Sequence, residues 1–303
     1  MLFMNKYEAS VVITTVDRKN DLKRAIDSVY LQDIDDLEIV VVIDGANEEI
    51  YSMLKKYNGI IVIMNMERCG GAESRNIGIR NATKRWVALL DDDDVWLKGK
   101  LKSQIDEMVS IYERNELVAS FTSLYTYLKK PTNMFILPRK KYEINHNMGD
   151  YLFELNLGRW SGWVQTSTIM ASRETFLKVP FDPLLPKHQD WEWILKVNNL
   201  DIPIIHVDVP YSIYHKNNNN SVAQIPRWQF SAEWIEKWRN KISIKAYENF
   251  QLSVVANGIS KDNSLTLSEK VKYILRLRKS LSFKTKLSVA SFRFLLQYLY
   301  NLK

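Results

Sequence analysis

The chain has 303 residues, of which 46% are hydrophobic and 25% are charged, and these proportions exclude a globally disordered protein. The length predicts about two domains, or one large α/β domain with appended elements. A single cysteine, Cys69, excludes an intramolecular disulfide framework and a cysteine-rich zinc site, so we expect a reducing, cytoplasmic compartment. No apolar run reaches the roughly 18 residues of a membrane-spanning helix, and the first ten residues lack the apolar stretch of a signal peptide.

The net charge of +7 is concentrated near the C-terminal end of the chain. Residues 270–303 contain nine lysines or arginines and no acidic residue, whereas residues 1–269 contain 33 basic and 35 acidic residues. The basic segment is also dense in leucine, phenylalanine and tyrosine. This composition favours attachment to an anionic membrane surface, with a packed helical pair and nucleic-acid binding as alternatives. Because nothing else in the chain supports nucleic acid, we expect no such partner.

The first 120 residues alternate short β-branched apolar runs with amphipathic stretches. This alternation predicts a mostly parallel sheet with helices on both faces. The spacing of apolar residues predicts helices after the first strand, over Gly71–Thr83 and after Trp96. The predicted strands are Ala9–Thr15, Leu37–Ile43, Ile60–Met64 and Trp86–Leu90.

The rest of the chain is less regular. Leu117–Tyr127 and Thr166–Ala171 have the composition of strands, and Lys187–Asn198 has helical spacing. From about Trp228 the pattern is helical, and we predict a break at Asn257-Gly258. The sequence therefore predicts an α/β region followed by a helical one.

Acidic residues follow three of the four predicted N-terminal strands. Ligands of open α/β sheets bind beyond the carboxyl ends of the strands, so we expect these residues at one edge of the sheet. The segments after the strands are Asp17-Arg18, Asp44-Gly45, Cys69-Gly70-Gly71 and Asp91-Asp92-Asp93-Asp94.

The run Asp91–Asp94 directly follows the apolar stretch WVALL. Adjacent carboxylates raise one another's pKa unless a cation or hydrogen-bond donors compensate. A hard divalent cation is the natural compensator, since Mg²⁺ is usually held by one or two carboxylates together with phosphate oxygens. The alternative is a solvated turn that caps the helix beginning near Trp96, and the position at a strand end favours the cation.

Five motifs occur in an order that resembles the family 2 glycosyltransferases, whose fold is GT-A. They are TTVDR, VVIDG, GGAESRN, LLDDDDVWLKGKL and HQDWEW, and the resemblance covers about residues 8–220. Members of that family move a sugar from a nucleotide donor to an acceptor with inversion at the anomeric carbon. The resemblance implies a GT-A domain over 1–230, with a nucleotide-sugar-binding half (1–115) and an acceptor-binding half (116–230). A helical, basic region would follow over 231–303.

The resemblance also implies which residues hold the donor and a divalent cation, Mn²⁺ or Mg²⁺. Asp93 would ligate the metal that bridges the two phosphates. His215, in a loop that closes over the diphosphate in the family, would contact the metal or a phosphate. Asp44 matches a carboxylate that accepts a hydrogen bond from the base, usually uracil, although the neighbouring acid of the family motif is Ile43 here. The residues assigned to the nucleotide or donor are Thr15, Asp17, Arg18, Asp44, Arg75, Asp91 and Asp92.

Asp190 in HQDWEW matches the family's catalytic base, which takes the proton of an acceptor hydroxyl. Proton transfer to a positioned carboxylate is typically worth about 10²–10⁴-fold in rate. Trp191 and Glu192 are assigned to acceptor binding. Trp193 is left open between a wall of this site and core packing.

The resemblance thus implies an inverting glycosyltransferase that moves a hexosyl group, from a UDP-sugar, to a saccharide or lipid-linked saccharide in bacterial polysaccharide or lipopolysaccharide assembly. The basic C-terminal region would hold it on the inner face of the cell membrane, or would pair two chains as a homo-oligomer. Two other classes stay open at this point. One is a haloacid-dehalogenase-type phosphatase with Asp91 as nucleophile and Asp93 as acid, and the other is a non-catalytic carbohydrate- or membrane-binding module.

Overall fold

The structure is a computed structural model, and it describes residues 7–127, 132–215 and 227–301. Within these residues the chain forms two compact units. The first unit contains the described residues up to 145 and from 164 to 215. The second contains residues 146–163 and those from 227 onward.

Strands and helices alternate in the N-terminal part of the described chain, and from Trp228 onward only helical elements follow. The strands are β1 (Glu8–Thr15), β2 (Asp36–Ile43), β3 (Ile60–Met64), β4 (Trp86–Asp91), β5 (Val95–Trp96), β6 (Ala119–Tyr127), β7 (Met134–Leu137), β8 (Leu155–Asn156), β9 (Arg159–Trp160), β10 (Ile169–Ser172) and β11 (Ile204–Ile213). The helices are α1 (Lys19–Tyr30), α2 (Glu48–Leu54), α3 (Gly70–Asn81), α4 (Lys100–Asn115), α5 (Met148–Leu152), α6 (Arg173–Lys178), α7 (Gln189–Asn199), α8 (Trp228–Trp238), α9 (Ile244–Phe250), α10 (Asn257–Lys261), α11 (Leu267–Ser280), α12 (Phe283–Lys286) and α13 (Val289–Asn301). A 3₁₀ turn covers Thr166–Thr168 and a π-helical turn covers Gln251–Ala256.

The first unit is built on a nine-stranded sheet with the order β3-β2-β1-β4-β10-β6-β11-β5, and β7 pairs with β6. Strands β3, β2, β1 and β4 are parallel. Beyond β4 the sheet is mixed, because β10 is antiparallel to both β4 and β6, whereas β6 and β11 are parallel. The predicted α/β fold with a helical C-terminal region is confirmed, and the parallel pairing is concentrated in the N-terminal half.

Helix α3 packs closely against the parallel half of the sheet. Val12 on β1 is buried, as expected for a strand covered on both faces. A Cβ on Gly78 would lie 2.3 Å from Val12 Cγ1, so a larger residue at 78 would push α3 off the strand. This contact positions the helix that contains Arg75.

An aromatic cluster forms the core of the second unit. Phe153 packs edge-on to Phe250, with ring centroids 5.0 Å apart, and Trp234 lies 5.4 Å from the same Phe250 ring. The Asn249 side chain also donates a 2.9 Å hydrogen bond to the Phe153 carbonyl. These contacts place 146–163 in the second unit, which differs from the sequence-based expectation that it belongs to the first domain. Its short elements have no periodicity that could reveal their partner.

The predicted break at Asn257-Gly258 is wrong. Helical backbone continues from Ile244 through the π-helical turn to Lys261. A Cβ on Gly258 would lie 2.7 Å from Trp228 Cβ, so this glycine permits a close helix contact and does not end the helix. Among the described residues, no helix has both the length and the hydropathy needed to span a bilayer.

Candidate active site

The carboxyl ends of β2, β1 and β4 bring several predicted site residues to one edge of the sheet. Thr15 ends β1, Asp44 follows β2, and Asp91 ends β4 at the start of the run Asp91–Asp94, here named the acidic loop. The Asp44 backbone N–H donates to the Thr15 carbonyl at 2.8 Å. Thr15 Oγ1 donates to Asp92 Oδ2 at 2.7 Å. The three strand ends therefore meet, as expected for a ligand site of an open α/β sheet.

Arg18 pairs with two carboxylates of the acidic loop. Its guanidinium lies 2.8 Å from Asp92 Oδ1 and also contacts Asp93. The Asp92 side chain is 1% exposed, whereas that of Arg18 is 42% exposed. Thr15 and Asp92 thus face the protein interior, while Arg18 and Asp93 reach the surface of the loop. Asp17 is exposed in the turn after β1, and the donor contacts of these five residues stay predictions.

Asp94 is a buried anchor for the acidic loop. Its Oδ2 atom accepts hydrogen bonds from Ser167 Oγ at 2.6 Å and from Gln165 Nε2 at 2.9 Å. Its Oδ1 atom accepts the backbone N–H of His215 at 3.0 Å. Asp94 therefore joins the acidic loop to the 3₁₀ turn and to the chain that follows β11. The alternative of a solvated, helix-capping turn does not apply to this carboxylate, because it is fully buried and α4 begins only at Lys100.

Arg75 connects the acidic loop to α7. Its guanidinium donates to Asp91 Oδ1 at 2.7 Å and to Gln189 Oε1 at 3.0 Å. Gln189 is the first residue of α7, and Asp190 follows it. Asp190 is 99 residues from Asp91 in the sequence. The Arg75 side chain thus brings the two into the same site.

Burial and mutual repulsion raise the pKa of three carboxyl groups of the acidic loop. Desolvation raises the pKa of Asp92 to about 7 despite the adjacent Arg18 guanidinium. Burial and the charge of Asp91 raise the pKa of Asp93. Burial, with the charges of Asp91 and Asp93, holds the pKa of Asp94 well above its ordinary value. Because an added cation favours the ionised form of such groups, the loop is an electrostatically favourable place for one.

The donor atoms of the acidic loop fit a cation that is shared with a ligand. Carboxylate oxygens suit Mg²⁺ and Mn²⁺. In the part of the chain that the structure describes, no three His, Cys, Asp or Glu residues converge as a complete cage. Metal binding by Asp93 stays a prediction, in which phosphate oxygens of the donor would complete the coordination, as is common for Mg²⁺.

Asp44 is held at the N-terminus of α3. The backbone N–H groups of Cys69 and Gly70 donate to its carboxylate at 2.7 and 3.1 Å. A carboxylate at this position satisfies free amides of the first helical turn and is favoured by the helix dipole. Gly70 has a φ of 85°, which favours glycine at the start of this helix. In the predicted contact with a nucleotide base, the Asp44 carboxylate would accept hydrogen bonds both from the base and from these backbone amides.

Asp190 lies in the first turn of α7, beside the acidic loop. The backbone N–H of Trp191 donates to its Oδ1 atom at 2.9 Å. Burial raises the pKa of Asp190 to about 6, and the charge of Asp91 acts in the same direction, while Arg75 opposes both. A carboxylate with a pKa near 6 is mostly ionised at neutral pH and is a stronger base than a solvated aspartate. The electrostatics of the site therefore suit general-base chemistry at Asp190.

The aromatic residues next to Asp190 differ in exposure. Trp191 is partly exposed and stacks on His188, with ring centroids 5.0 Å apart and an interplanar angle of 6°. Trp193 is 1% exposed and stacks on Phe176 at 4.6 Å. Trp193 is therefore a core residue and not a wall of the acceptor site. Trp191 keeps the exposure that an acceptor-binding residue needs.

The side chains of two predicted residues have contacts outside the acidic loop. The ring of His215 is edge-on to Tyr127 at 6.1 Å, and burial lowers its pKa. Its Nδ1 atom is buried and has no hydrogen-bond partner among the described residues. Glu192 is buried and pairs with Lys196 one turn further along α7, at 3.2 Å. Metal binding by His215 and acceptor binding by Glu192 stay predictions.

Sequence reasoning missed three polar residues of this site. Gln165 caps the 3₁₀ turn, and its Nε2 atom donates to both Asp91, at 3.0 Å, and Asp94. Gln189 accepts the Arg75 hydrogen bond described above. Burial and the charges of the acidic loop raise the pKa of Tyr214, which therefore lies within electrostatic reach of these carboxylates. The stretch WVQTST has no acidic or repeated motif that could have indicated Gln165.

Ser123, His206 and Asp208 form a second polar cluster that resembles a nucleophilic triad. Ser123 Oγ lies 3.0 Å from His206 Nε2 and donates to Asp208 Oδ1 at 3.0 Å. The Tyr142 backbone N–H donates to His206 Nδ1, so the neutral ring has its proton on Nε2. Burial also lowers the pKa of His206 to about 4. The ring nitrogen facing Ser123 is therefore a donor, and it cannot act as the base of a triad.

Comparisons with known proteins identify the family of this chain. The model of the family described as Glycosyl transferase family 2 matches residues 10–169, just over half of the chain. Amylovoran biosynthesis glycosyltransferase AmsB of Erwinia amylovora is 24% identical over 219 residues, which are 70% of this chain and 71% of AmsB. WfaP of Escherichia coli, named UDP-Glc:alpha-D-GlcNAc-diphosphoundecaprenol beta-1,3-glucosyltransferase, is 27% identical over 118 residues, which are 38% of this chain and 45% of WfaP.

Two solved structures have the same fold. S. aureus TarS 1–349 in complex with UDP-GlcNAc has a TM-score of 0.56 at 12% identity, covering 98% of this chain and 82% of that one. Mannosyltransferase PcManGT from Pyrobaculum calidifontis, in complex with GDP-Man and Mn²⁺, has a TM-score of 0.56 at 14% identity, covering 98% of this chain and 86% of that one. The GT-A architecture implied by the sequence motifs is confirmed. With its family match and its cluster of acidic strand-end residues, the chain belongs to glycosyltransferase family 2.

Proposed function

We propose that this glycosyltransferase moves a hexosyl group from a UDP-sugar to a saccharide acceptor carried on a lipid, with inversion at the anomeric carbon. The observation that carries the proposal is the Arg75 guanidinium, which donates to both Asp91 and Gln189 and so holds Asp190 beside the acidic loop. A general base next to a cluster of carboxylates suited to a cation is the arrangement that sugar transfer from a nucleoside diphosphate requires.

Asp190 is the base in this proposal. Its pKa of about 6 leaves it ionised at neutral pH, ready to take the proton of an acceptor hydroxyl as the new bond forms. Inversion follows when the hydroxyl attacks from the face opposite the leaving phosphate. The partly exposed Trp191 provides an apolar surface on which a sugar ring can stack.

Asp93 would ligate the divalent cation, Mn²⁺ or Mg²⁺, with His215 as a second candidate contact, and Asp91 would bind the donor beside it. Such a cation acts as a Lewis acid that stabilises the charge on the departing diphosphate. The residues of the chain prepare its site: Arg75 and Gln165 fix the Asp91 carboxylate, and Arg18 contacts Asp93. Arg18 is also exposed enough to exchange its partner for a phosphate.

The identity of the nucleotide and of the acceptor rests on the relatives. WfaP is named for transfer from UDP-Glc to a diphosphoundecaprenol-linked sugar, and AmsB for amylovoran biosynthesis. TarS has been solved with UDP-GlcNAc, which supports a UDP-sugar, whereas PcManGT with GDP-Man makes GDP-sugars the competing donors. We propose a role in bacterial polysaccharide or lipopolysaccharide assembly, at the cytoplasmic face of the membrane.

Transfer assays and ligand-induced stabilisation test this function. Each of several UDP- and GDP-sugars is added with and without Mn²⁺, and a ligand at 100 times its Kd should add about 2.7 kcal/mol of stability. We expect a UDP-sugar to stabilise the protein in a metal-dependent manner and to be consumed in the presence of a lipid-linked acceptor. Stabilisation by GDP-sugars alone would contradict the proposed donor.

The two alternative classes make different predictions. A phosphatase using Asp91 as nucleophile needs this carboxylate free for attack, but Arg75 and Gln165 hold it from two sides, and the family match points to glycosyl transfer. A non-catalytic module would bind a nucleotide sugar without ever transferring the sugar. The absence of turnover over a broad acceptor panel, with donor binding intact, would favour that module.

A further inference from the structure

Four large apolar side chains project from the last part of the second unit. Phe283 is 76% exposed, Leu287 71%, Val289 61% and Phe292 63%. Phe283 and Leu287 are four residues apart, and Val289 and Phe292 are three apart on α13, so each pair lies on one helical face. These four residues are named the apolar knuckle.

Buried polar contacts hold the knuckle in place. Glu248, which is 3% exposed, accepts the Ser282 backbone N–H at 2.5 Å and the Ser282 hydroxyl at 2.7 Å, and it also accepts the Thr285 hydroxyl. The Arg278 guanidinium donates to Ser291 Oγ at 3.3 Å across the turn between α11 and α13. The turn is therefore fixed from within the unit, and the exposure of the four side chains does not result from a frayed terminus.

The same segment is amphipathic. Leu281, Ala290, Phe294 and Tyr298 are between 3% and 8% exposed, and they pack inward while the knuckle points outward. The Tyr298 hydroxyl is also tied to the Leu252 carbonyl. Since the segment already buries one apolar face, the knuckle is a second apolar surface that no described residue covers.

Basic side chains flank the knuckle along the chain, and two of them also donate to carbonyls, Lys286 to that of Lys279 at 3.0 Å and Arg293 to that of Leu157 at 2.9 Å. Lys279, Lys284 and Arg293 are exposed, Lys286 is partly exposed, and residues 270–303 contain no acidic residue. Aromatic and aliphatic side chains among cations suit the boundary between the headgroups and acyl chains of an anionic bilayer. A second copy of the chain is a poorer match, because a symmetric contact would place this basic surface against itself.

We propose that the apolar knuckle and its flanking lysines and arginine form a docking surface for an anionic lipid bilayer. This docking surface rests on the proposed function, because a lipid-linked acceptor lies at a membrane. It assigns the peripheral attachment to specific residues. Phe283 and Leu287 enter the bilayer boundary, and Lys284 and Lys286 contact lipid phosphates.

Vesicle flotation of the full chain tests the proposal. The vesicles are phosphatidylcholine alone, or phosphatidylcholine mixed with phosphatidylglycerol, and neither donor nor acceptor is present. We expect the protein to float with the anionic vesicles, to bind neutral vesicles weakly, and to detach as salt increases. The double variant Phe283→Ser/Leu287→Ser should lower the partition coefficient about a hundredfold, and Lys284→Glu/Lys286→Glu by more than about tenfold.

The matched control is Leu31→Ser/Leu184→Ser. These two leucines of the first unit are 64% and 86% exposed, so the control removes comparable apolar surface elsewhere and should not change partitioning. Unfolding midpoints equal to that of the wild type would show that each variant is folded. Equal binding to neutral and anionic vesicles, or unchanged binding of the Phe283/Leu287 variant, would overturn the proposal. So would a knuckle variant that changes only the oligomeric mass in sedimentation velocity.

The flotation result and the enzymatic result are independent. Sugar transfer to a water-soluble acceptor analogue is measured without vesicles. Failure of the wild-type chain to float with anionic vesicles, with transfer intact, would reject the docking surface alone. Intact flotation without any transfer would reject the proposed function and leave the docking surface supported.

Discussion

Replacement of Asp190 by asparagine is expected to increase stability while it abolishes transfer. Burial raises the pKa of Asp190 from 3.8 to about 6 in the folded protein. Because the folded state binds this proton more tightly than the unfolded state, the stabilisation that it provides is complete below about pH 4 and is lost as the pH rises through about 6. Asparagine has no charge to bury, so the variant avoids this loss.

The size of the effect follows from the two pKa values. The difference corresponds to about 3 kcal/mol at pH 7.5 and about 1 kcal/mol at pH 4.5. We therefore expect the advantage of Asp190→Asn over the wild type to be about 2 kcal/mol larger at pH 7.5 than at pH 4.5. Transfer by the same variant should fall at least about a hundredfold, because no base remains for the acceptor hydroxyl.

Urea unfolding followed by tryptophan fluorescence measures the stability at both pH values. The control is Asp33→Asn, since the Asp33 side chain is 75% exposed and its replacement should leave the pH dependence unchanged. An advantage that does not grow with pH would refute the raised pKa of Asp190 in the folded protein. Turnover at the wild-type level in the asparagine variant would remove Asp190 from the chemistry.

Three further outcomes are expected. The kcat/KM of the wild type should fall about tenfold per pH unit below about pH 6, as Asp190 becomes protonated, and a flat profile to pH 5 would speak against that base. Asp93→Ala should weaken Mn²⁺-dependent donor binding in calorimetry, and an unchanged metal requirement would contradict the assignment of Asp93. Gln165→Glu removes the amide donor shared by Asp91 and Asp94, so it should cost about 1–3 kcal/mol of stability at pH 8 and less at pH 5, where the carboxyls take up protons. Equal unfolding curves of Gln165→Glu and wild type at pH 8 would argue against this role.

Local sequence patterns were sufficient to predict the parallel half of the sheet. Strand β3 was predicted with its observed bounds, Ile60–Met64, and β1, β2 and β4 within one residue at either end. Buried parallel strands are nearly continuous β-branched runs, so their signal is contained in the segment itself. The rule that ligands bind at the carboxyl ends of such strands then placed Asp44 and Asp91 at the same edge.

Non-local pairing limited the prediction beyond β4. Thr166–Ala171 was expected to be one strand, but its first three residues form a 3₁₀ turn and only the following residues pair, antiparallel, with β4 and β6. This turn positions Gln165 between Asp91 and Asp94. The pairing of a short segment with strands far away in the sequence has no local periodicity, so neither the turn nor Gln165 could be recognised beforehand.

The sequence by itself determined the chemistry available to this protein: a run of four carboxylates after a buried strand, a base motif in HQDWEW, and a C-terminal segment that is basic and apolar. Only the tertiary structure decided which carboxylates anchor the fold and which face the site. Asp94 is buried against Gln165 and Ser167. Asp190, by contrast, is held near the acidic loop because Arg75 binds the preceding residue of α7.

The physical reason is that burial and long-range hydrogen bonding set the pKa and the orientation of each carboxylate, and both depend on residues far away in the sequence. The same holds for the second unit, where Glu248 fixes the turn that exposes Phe283. Composition predicted a basic, apolar segment. The packing of that segment decided which of its side chains stay exposed and can contact a partner.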